Sequence, residues 1–300
     1  MLSIIIPFHN EEENIPVLTD RLIDICSKHN FEFEIILVDD GSTDNSKSGI
    51  QNSKFQSHKI LKLISHKKRL GKGQALFSGL QEAKGDTIVF MDADLQDDSH
   101  DIPKLLEKLD QGYDFVNGIR VGRKDSFLIK IYSLFAKLFL KVFLHSPYTD
   151  INCGFKAFKR KVLNNFTFYG NNFRFFPLAV YYNGYKVTEI PVQNQQRIHG
   201  KSKFGVNKVF IGFLDTLTAY FLYKFSERPL HFFGMIGGAF FSTGFFIALY
   251  LSYERIFYNK LLFNRPVLLF AMVLILVGIQ VILTGFIGEL IVYISKKNSS

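Results

Sequence analysis

The stretch that decides the fold is DTIVFMDAD, residues 86–94, a short apolar run that ends in two acidic residues separated by one alanine. Three similar runs precede it in the chain: LSIIIP (2–7), FEIILVDD (33–40) and KILKLIS (59–65). Runs of this length, rich in isoleucine, leucine and valine, are typical of buried strands. The first part of the chain therefore predicts four strands.

Amphipathic stretches separate these runs and predict helices at about 11–28, 42–53 and 72–84. The alternation predicts an α/β domain with a mostly parallel sheet covered by helices. In such a sheet, ligands bind at the carboxyl ends of the strands. Polar clusters follow three of the four runs, and we expect them to line one crevice: His9-Asn10-Glu11, Asp39-Asp40, and Asp92 with Asp94.

The composition excludes several classes of protein. A chain of 300 residues that is 47% hydrophobic and 21% charged is not intrinsically disordered. Two cysteines, Cys26 and Cys153, cannot build a disulfide framework and favour a reducing compartment. The apolar start of the chain is short, lacks a basic leader and meets three glutamates, so we expect no signal peptide. The net charge of +9 suits nucleic acid, anionic lipid or a phosphate-bearing substrate.

Two long segments near the C-terminus, 232–253 and 267–288, carry no formal charge. At about 1.5 Å per residue, each helix would span roughly 33 Å, enough for a hydrocarbon core of about 30 Å. We expect a two-span membrane anchor at about 231–295, with both chain ends on the same side; a pair of buried core helices is the alternative. Gly234 and Gly238 would give the first span a face of small residues, compatible with packing inside one hairpin or in a homo-oligomer.

A different apolar stretch, residues 127–144, carries Lys130, Lys137 and Lys141 at helical spacing. On a helix these lysines fall on one narrow stripe, which is typical of a helix lying in the membrane interface. We expect such an interfacial helix here and a second one at 204–225. A core helix with one solvated stripe is the alternative for 127–144.

The acidic pair Asp92 and Asp94 carries the clearest chemical signal. Carboxylates at i and i+2, where a strand turns into a loop, can point into one crevice and suit Mg²⁺ or Mn²⁺ together with substrate phosphates. A solvated loop acid is the plain alternative. Other candidate motifs fail: neither the glycines near Lys72 nor those near Lys201 have the spacing of a nucleotide-binding loop. The chain also lacks zinc-ligand spacing and a G-x-S-x-G motif.

Six motifs occur in an order that resembles family 2 glycosyltransferases of the GT-A fold. They are IIIPFHNEEENI (4–15), ILVDDGSTD (36–44), FMDADLQD (90–97), GIRVGRKD (118–125), TDINCGFKAF (149–158) and RIHGKSKF (197–204). The last three look like the subgroup that glycosylates polyprenyl phosphates, which includes dolichol-phosphate mannosyltransferases and bacterial undecaprenyl-phosphate sugar transferases. The resemblance implies a Rossmann-like, mostly parallel GT-A catalytic domain at 1–225, followed by the membrane anchor.

The resemblance also implies an activity. It is the inverting transfer of one sugar from a UDP- or GDP-linked donor to undecaprenyl or dolichyl phosphate, which supplies a lipid-linked sugar for cell-envelope glycan, lipopolysaccharide or protein glycosylation. The donor is cytosolic, so the catalytic domain and both termini would face the cytosol, in a bacterial inner membrane. The positive charge would then meet anionic lipid and substrate phosphates, and nucleic acid is not needed.

On the donor side, the resemblance assigns a nucleoside pocket and a metal site. Asp92, Ala93 and Asp94 would meet the nucleotide sugar. The metal, Mg²⁺ or Mn²⁺, would be held by Asp92, Asp94 and Gln96. The residues implied for the nucleoside are Pro7, His9, Glu11, Val38, Asp39 and Asp40; the family usually has tyrosine in the place of His9.

On the acceptor side, Asp150 corresponds to an acid often proposed as the base. The acceptor is a phosphate monoester with a second pKa of about 6, so it needs positioning more than deprotonation. Asp150 would therefore act either as a base or by orienting cations and sugar hydroxyls. Arg120, Arg197 and Lys203 would form the phosphate clamp, and Lys72 is a further phosphate candidate.

Two other functions remain as alternatives at this point. A processive polysaccharide synthase shares the fold, but its Q-x-x-R-W signature needs a tryptophan, which this chain lacks. A non-catalytic membrane scaffold or flippase subunit would have a degenerate site, whereas Glu11, Asp92 and Asp94 are intact here.

Overall fold

The chain forms two compact units, residues 1–216 and 217–300. The computed structural model describes residues 1–51, 60–121, 138, 141–142, 145–164, 166, 172–195, 217–218, 220–222, 225–259, 261 and 266–299. Most of the expected interfacial helices at 127–144 and 204–225 lies outside these residues. Leu138, Lys141 and Val142 are described, and all three are helical and exposed.

The first unit is built around a seven-stranded sheet with the order β3-β2-β1-β4-β6-β5-β7. The strands are β1 (Leu2–Phe8), β2 (Phe33–Asp39), β3 (Leu61–Ser65), β4 (Thr87–Phe90), β5 (Phe115–Val121), β6 (Lys156–Lys159) and β7 (Val187–Gln193). The four predicted strands form one parallel half of the sheet, with β1 between β2 and β4. The predicted α/β fold with a mostly parallel sheet is confirmed.

Helices cover the sheet, and each of them buries apolar side chains. They are α1 (Asn14–Lys28), α2 (Ser46–Gln51), α3 (Lys72–Glu82), α4 (Ile102–Asp110) and α5 (Phe176–Tyr182). The central strand β1 is buried along its whole length, which explains why its sequence is a near-continuous apolar run rather than an alternating one. Leu18 and Leu22 of α1 and Leu105 of α4 are buried in the same core cluster as Ile4 and Ile6 of β1.

Strand β6 runs against its neighbours. It pairs antiparallel with both β4 and β5, whereas β5 and β7 pair parallel. Its first residue, Lys156, lies opposite Phe90, the last residue of β4. The segment that enters β6 therefore lies at the edge of the sheet where β1, β2 and β4 end. The sequence analysis did not predict β5, β6 or β7.

The second unit contains α6 (Pro229–Tyr258) and α7 (Pro266–Ser299), which pack against each other. Both are long and apolar enough to cross a membrane, and only 11% of the most apolar window of each is buried. A buried core helix would not expose so much apolar surface. The helices are longer than the expected spans, since α6 continues past Tyr253.

Glycines allow the two long helices to approach closely. A Cβ atom on Gly237 would lie 2.6 Å from the carbonyl oxygen of Gly278, and one on Gly244 would lie 2.7 Å from that of Ala271. Gly234 and Gly238, the small-residue face expected from the sequence, have no such neighbour within 4 Å. The hairpin is thus packed through a different face of α6.

We predict that Gly237→Leu destabilises the helix pair and that Gly238→Leu does not. The added side chain at Gly237 would meet the α7 backbone, and overpacking of this kind costs about 1–3 kcal/mol. Thermal unfolding of the full chain in detergent measures the difference, and the neighbouring variant controls for helix propensity and hydrophobicity. Equal midpoints for the two variants would contradict this packing.

Candidate active site

The loops after β1 and β2 are tied together by hydrogen bonds. The Asn10 backbone amide donates to Ser42 Oγ at 3.0 Å, and the Thr43 amide donates to Asn10 Oδ1 at 2.8 Å. His9 Nδ1 lies 3.0 Å from the Asp40 carbonyl oxygen. Glu11 Oε2 accepts a bond from Asn14 Nδ2 at 2.6 Å. The implied nucleoside-binding loops therefore form one connected surface.

The carboxylate of Asp40 organises the loop that leads into α3. It accepts hydrogen bonds from the Leu70 amide at 2.8 Å and the Gly71 amide at 2.9 Å, and it lies 3.1 Å from His66 Nδ1. Burial alone would raise the pKa of Asp40, but these hydrogen bonds hold it below its ordinary value. Asp40 thus fixes the chain just before Lys72, the first residue of α3.

Asp92 and Asp94 follow β4, as the sequence predicted. Asp92 is paired with the ammonium group of Lys72. Burial opposes ionisation of Asp92, yet the charge of Lys72 lowers its pKa. Asp94 is 9% exposed and accepts a bond from the Gln96 amide at 3.3 Å. The Gln96 side chain donates to the Gln195 carbonyl oxygen at 3.4 Å.

An acidic cluster follows β4 and consists of Asp92, Asp94 and Asp97. It suits a divalent cation whose other ligands come from a substrate. Burial, followed by the charges of Asp92 and Asp94, raises the pKa of the nearby Asp97 to about 7. Within the described residues, no group of three His, Cys, Asp or Glu side chains could hold a metal ion by itself. Mg²⁺ and Mn²⁺ sites commonly use one or two carboxylates plus waters and substrate phosphates, and this donor set fits that pattern.

Arg120 and Asp150 form a two-pronged ion pair beside this cluster. Arg120 Nε lies 2.8 Å from Asp150 Oδ2, and Arg120 Nη2 lies 2.8 Å from Asp150 Oδ1. Arg120 lies near the carboxyl end of β5, and Asp150 lies in the segment that enters β6. Burial opposes ionisation of Asp150, but the guanidinium group lowers its pKa. Asp150 is therefore a carboxylate whose two oxygens both face a cation.

A row of polar side chains crosses three neighbouring strands beneath this pair. Lys156 of β6 pairs with Asn117 of β5, which pairs with Glu189 of β7. Lys156 Nζ donates to Asn117 Oδ1 at 2.8 Å, and Asn117 Nδ2 donates to Glu189 Oε1 at 2.9 Å. Burial lowers the pKa of Lys156 to about 8. This polar row is buried at Lys156 and Asn117, so its hydrogen bonds are expensive to lose.

The polar row holds the loop that carries Asp150. Lys156 Nζ also donates to the carbonyl oxygens of Ile151 and Cys153. Glu189 accepts bonds from the Thr149 amide at 2.6 Å and from the Asp150 amide at 3.3 Å. The loop is thereby fixed at both ends.

Gly154 brings this loop against the acidic cluster. A Cβ atom at Gly154 would lie 2.6 Å from Asp92 Oδ2, so any other residue would displace the carboxylate or the loop. Asp92, which follows β4, and the loop that carries Asp150 therefore share one site. This contact gives the glycine of the TDINCGFKAF motif a physical reason.

The resemblance also implies roles for Pro7, Val38, Asp39 and Ala93, which the structure describes, and for two cations. Pro7 and Ala93 are buried, and Val38 is 0% exposed. Asp39 Oδ1 accepts a bond from the Ser42 backbone amide at 2.8 Å, so this buried carboxylate caps the turn after β2. Arg197 and Lys203, from the expected phosphate clamp, lie outside the described residues.

The sequence analysis missed the polar row. Lys156 lies inside the TDINCGFKAF motif, but the resemblance implies no role for it. Asn117 and Glu189 lie on strands that were not predicted, and only the pairing of β5 with β6 and β7 brings them together. A single lysine or glutamate in a short, only partly apolar stretch does not by itself indicate a buried polar contact between strands.

Comparison with known proteins supplies the family. The family model described as glycosyl transferase family 2 matches residues 3–175. The dodecaprenyl-phosphate galacturonate synthase of Rhizobium johnstonii is 31% identical over 97% of this chain and 87% of its own length. The undecaprenyl-phosphate 4-deoxy-4-formamido-L-arabinose transferase of Pectobacterium atrosepticum is 31% identical over 97% of this chain and 88% of its own.

Solved structures share the fold of the first unit at lower identity. Glucosyl-3-phosphoglycerate synthase from Mycobacterium tuberculosis, crystallised with Mn²⁺, uridine diphosphate and phosphoglyceric acid, matches with a TM-score of 0.57 and 18% identity over 74% of this chain and 78% of that one. Mannosyl-3-phosphoglycerate synthase from Rubrobacter xylanophilus matches with a TM-score of 0.59 and 16% identity over 73% and 72% of the two chains. The family-model match spans the strand ends, the acidic pair, Arg120 and the Asp150 loop, and this chain belongs to glycosyl transferase family 2.

Proposed function

We propose that this glycosyltransferase moves one sugar from a nucleotide sugar to a polyprenyl phosphate at the cytosolic face of a membrane. The observation that carries the proposal is the extent of the match to the two named relatives. It covers 97% of the chain, and hence the two apolar helices as well as the catalytic unit. Both relatives are named for a polyprenyl phosphate, a substrate whose tail stays in a bilayer.

The loops after β1, β2 and β4 would bind the nucleotide-sugar donor. The connected surface around His9 and Asp40 would bind the nucleoside, and Asp94 with Asp92 would face the diphosphate. A bound Mg²⁺ or Mn²⁺ would neutralise charge on the departing diphosphate. The buried position of Asp94 keeps its carboxylate in one place and limits access of bulk water.

The acceptor side needs a positioned phosphate rather than a base. An acceptor phosphate oxygen forms the bond to the anomeric carbon while the bond from that carbon to the diphosphate oxygen breaks and its electron pair leaves with the nucleoside diphosphate. Near neutral pH the acceptor is already mostly deprotonated. Both oxygens of Asp150 face Arg120, and its lowered pKa makes it a weak base. We infer that Asp150 orients Arg120 toward the phosphate.

The membrane placement of the chain follows from the same proposal. The hairpin of α6 and α7 would anchor it, and the stretches at 127–144 and 204–225 would lie in the interface near anionic lipid. Arg197 and Lys203 would complete the phosphate clamp with Arg120. An amphipathic helix at the surface would bring the active site down to a lipid phosphate that cannot leave the bilayer cheaply, at about 0.8 kcal/mol per buried CH₂.

We predict that Asp94→Asn lowers turnover by about two orders of magnitude or more, because it removes charge from the site that faces the diphosphate. Radiolabelled UDP- and GDP-sugars are screened with undecaprenyl and dolichyl phosphate, and the label is counted in extracted lipid. Asp110→Asn, at the exposed end of α4, is the matched control. Full activity of Asp94→Asn would contradict the role of Asp94. If the unmodified chain put the label into a polymer, or formed no labelled product, the proposed function would be wrong.

We predict that Glu189→Gln lowers kcat about tenfold to a hundredfold with little change in the KM of the donor. The amide cannot accept all the bonds that hold Thr149 and Asp150, and small misplacements at a reacting centre are costly. Glu34→Gln is the control, because Glu34 also accepts a backbone bond, from the Lys84 amide at 2.6 Å, but at the start of β2. An equal loss of kcat in both variants would mean that Glu189 contributes only to the stability of the fold.

We predict that both chain ends lie in the cytosol. Two spans return the chain to the side on which it entered, and the nucleotide sugar is cytosolic. Reporter fusions at Ser300 and in the link at 259–265, between α6 and α7, should report opposite sides. The same side for both fusions would exclude the hairpin topology.

A further inference from the structure

A cleft beside the acidic pair is lined by three cations that do not belong to the expected phosphate clamp. The space between its walls, together with the open solvent at its mouth, is about 270 Å³. Its walls come from Lys72 and Leu76 of α3, the 151–154 loop, Lys156, and the pair Phe173 and Arg174. Among the described residues that line it, three are cations and none is a carboxylate.

The two outer cations lie over the same aromatic ring. Lys72 Nζ is 5.5 Å from the centroid of the Phe173 ring, and Arg174 Cζ is 6.0 Å from it. A ring face attracts a cation at these distances, so Phe173 holds both groups near one place. Two cationic side chains, of which Lys72 is also paired with Asp92, therefore meet at one ring and both can reach an anion in the cleft.

The floor of the cleft is rigid and also positive. Lys156 is 4% exposed and is held by Asn117 and by the carbonyl oxygens of Ile151 and Cys153. These acceptors are all neutral, so the Lys156 charge is not cancelled by a directly bonded carboxylate. An anion in the cleft would therefore gain attraction from below as well as from the rim.

The cleft lies next to the reacting groups. Lys72 lines it and also pairs with Asp92, and Gly154 lines it and lies against the Asp92 carboxylate. Any anion in the cleft would thus lie beside the site where the sugar is expected to be transferred from donor to acceptor. Nothing in the motifs of the sequence pointed to Phe173 or Arg174.

Building on the proposed function, we propose that Lys72, Phe173 and Arg174 form a phosphate subsite of this enzyme. Arg174 offers a two-pronged donor and Lys72 a point charge, which together suit phosphate oxygens. The phosphate belongs either to the acceptor lipid or to the diphosphate of the donor, since both carry the same group. Arg174 would then contact substrate directly.

Binding to the full chain in detergent tests the subsite without turnover. Farnesyl phosphate stands for the acceptor and UDP for the donor, and isothermal titration calorimetry measures each Kd. Arg174→Gln should weaken one of the two about tenfold to a hundredfold, because a charge-assisted hydrogen bond is lost. Arg174→Lys should recover part of the loss, and Phe173→Leu should weaken the same probe. Lys28→Gln, exposed at the end of α1, removes equal charge elsewhere and should change neither.

Each outcome decides the proposal. Weaker farnesyl phosphate assigns the subsite to the acceptor, and weaker UDP assigns it to the donor. If both probes bind Arg174→Gln and Arg174→Lys within twofold of the unmodified chain, or if the unmodified chain binds neither probe, the subsite is overturned. If Arg174→Gln fails to fold, Arg174→Lys and Phe173→Leu carry the test. Absence of lipid-linked product from the unmodified chain would overturn the proposed function alone, because these affinities are measured without any transfer.

Discussion

Charge balance at the carboxyl edge of the sheet is the interaction on which the site depends. The segment that leaves β4 holds Asp92, Asp94 and Asp97 close to one another, and burial makes their mutual repulsion costly. Lys72 offsets this charge from α3, and Arg120 offsets it from β5. Each cation is fixed by a separate part of the fold, so the acidic cluster is stable only when helix, sheet and loop are all in place.

The reversed strand β6 is what makes this balance possible. Because β6 runs antiparallel to β4, the loop that enters β6 meets the end of β4 rather than its beginning. Gly154 then lies against Asp92, and Asp150 lies within reach of Arg120. A parallel strand at the same place would have carried that loop to the opposite edge, far from the carboxylates. One change of direction thus joins the acidic residues that follow β4 to the loop that carries Asp150.

The sequence predicted the half of the fold in which local pattern and burial agree. The runs at 2–7, 33–40 and 86–94 are apolar because their strands are largely buried, whereas the run at 59–65 forms the partly exposed edge strand β3. All four runs are strands in the structure. Strand β6 could not be found this way, since four residues that include Lys156 and Lys159 carry no apolar period. Its place depends on pairing with distant strands, which a local pattern does not encode.

The same limit applied to the candidate site. The acidic pair and Arg120 lie in motifs with a recognisable spacing, so they could be named from the sequence. Glu189 is 39 residues from Asp150 along the chain and reaches it only because β7 pairs with β5. Phe173 and Arg174 reach the wall of a cleft shared with Lys72 through tertiary packing alone.

Membrane attachment and catalysis impose opposite demands on the chain, and the two units divide them. The helices α6 and α7 expose large apolar side chains along much of their length, which is typical of membrane-spanning helices. The catalytic unit instead buries its apolar groups and concentrates ionised ones at one edge of its sheet. A lipid-borne phosphate would have its apolar tail in the first environment and its charge in the second. Such a substrate would diffuse only within the bilayer. An enzyme anchored in the same bilayer would therefore encounter the substrate at a higher effective concentration than an enzyme in bulk water. On the proposed function, cations at the edge of the catalytic unit would bind the phosphate, which is the part of the acceptor that emerges into water.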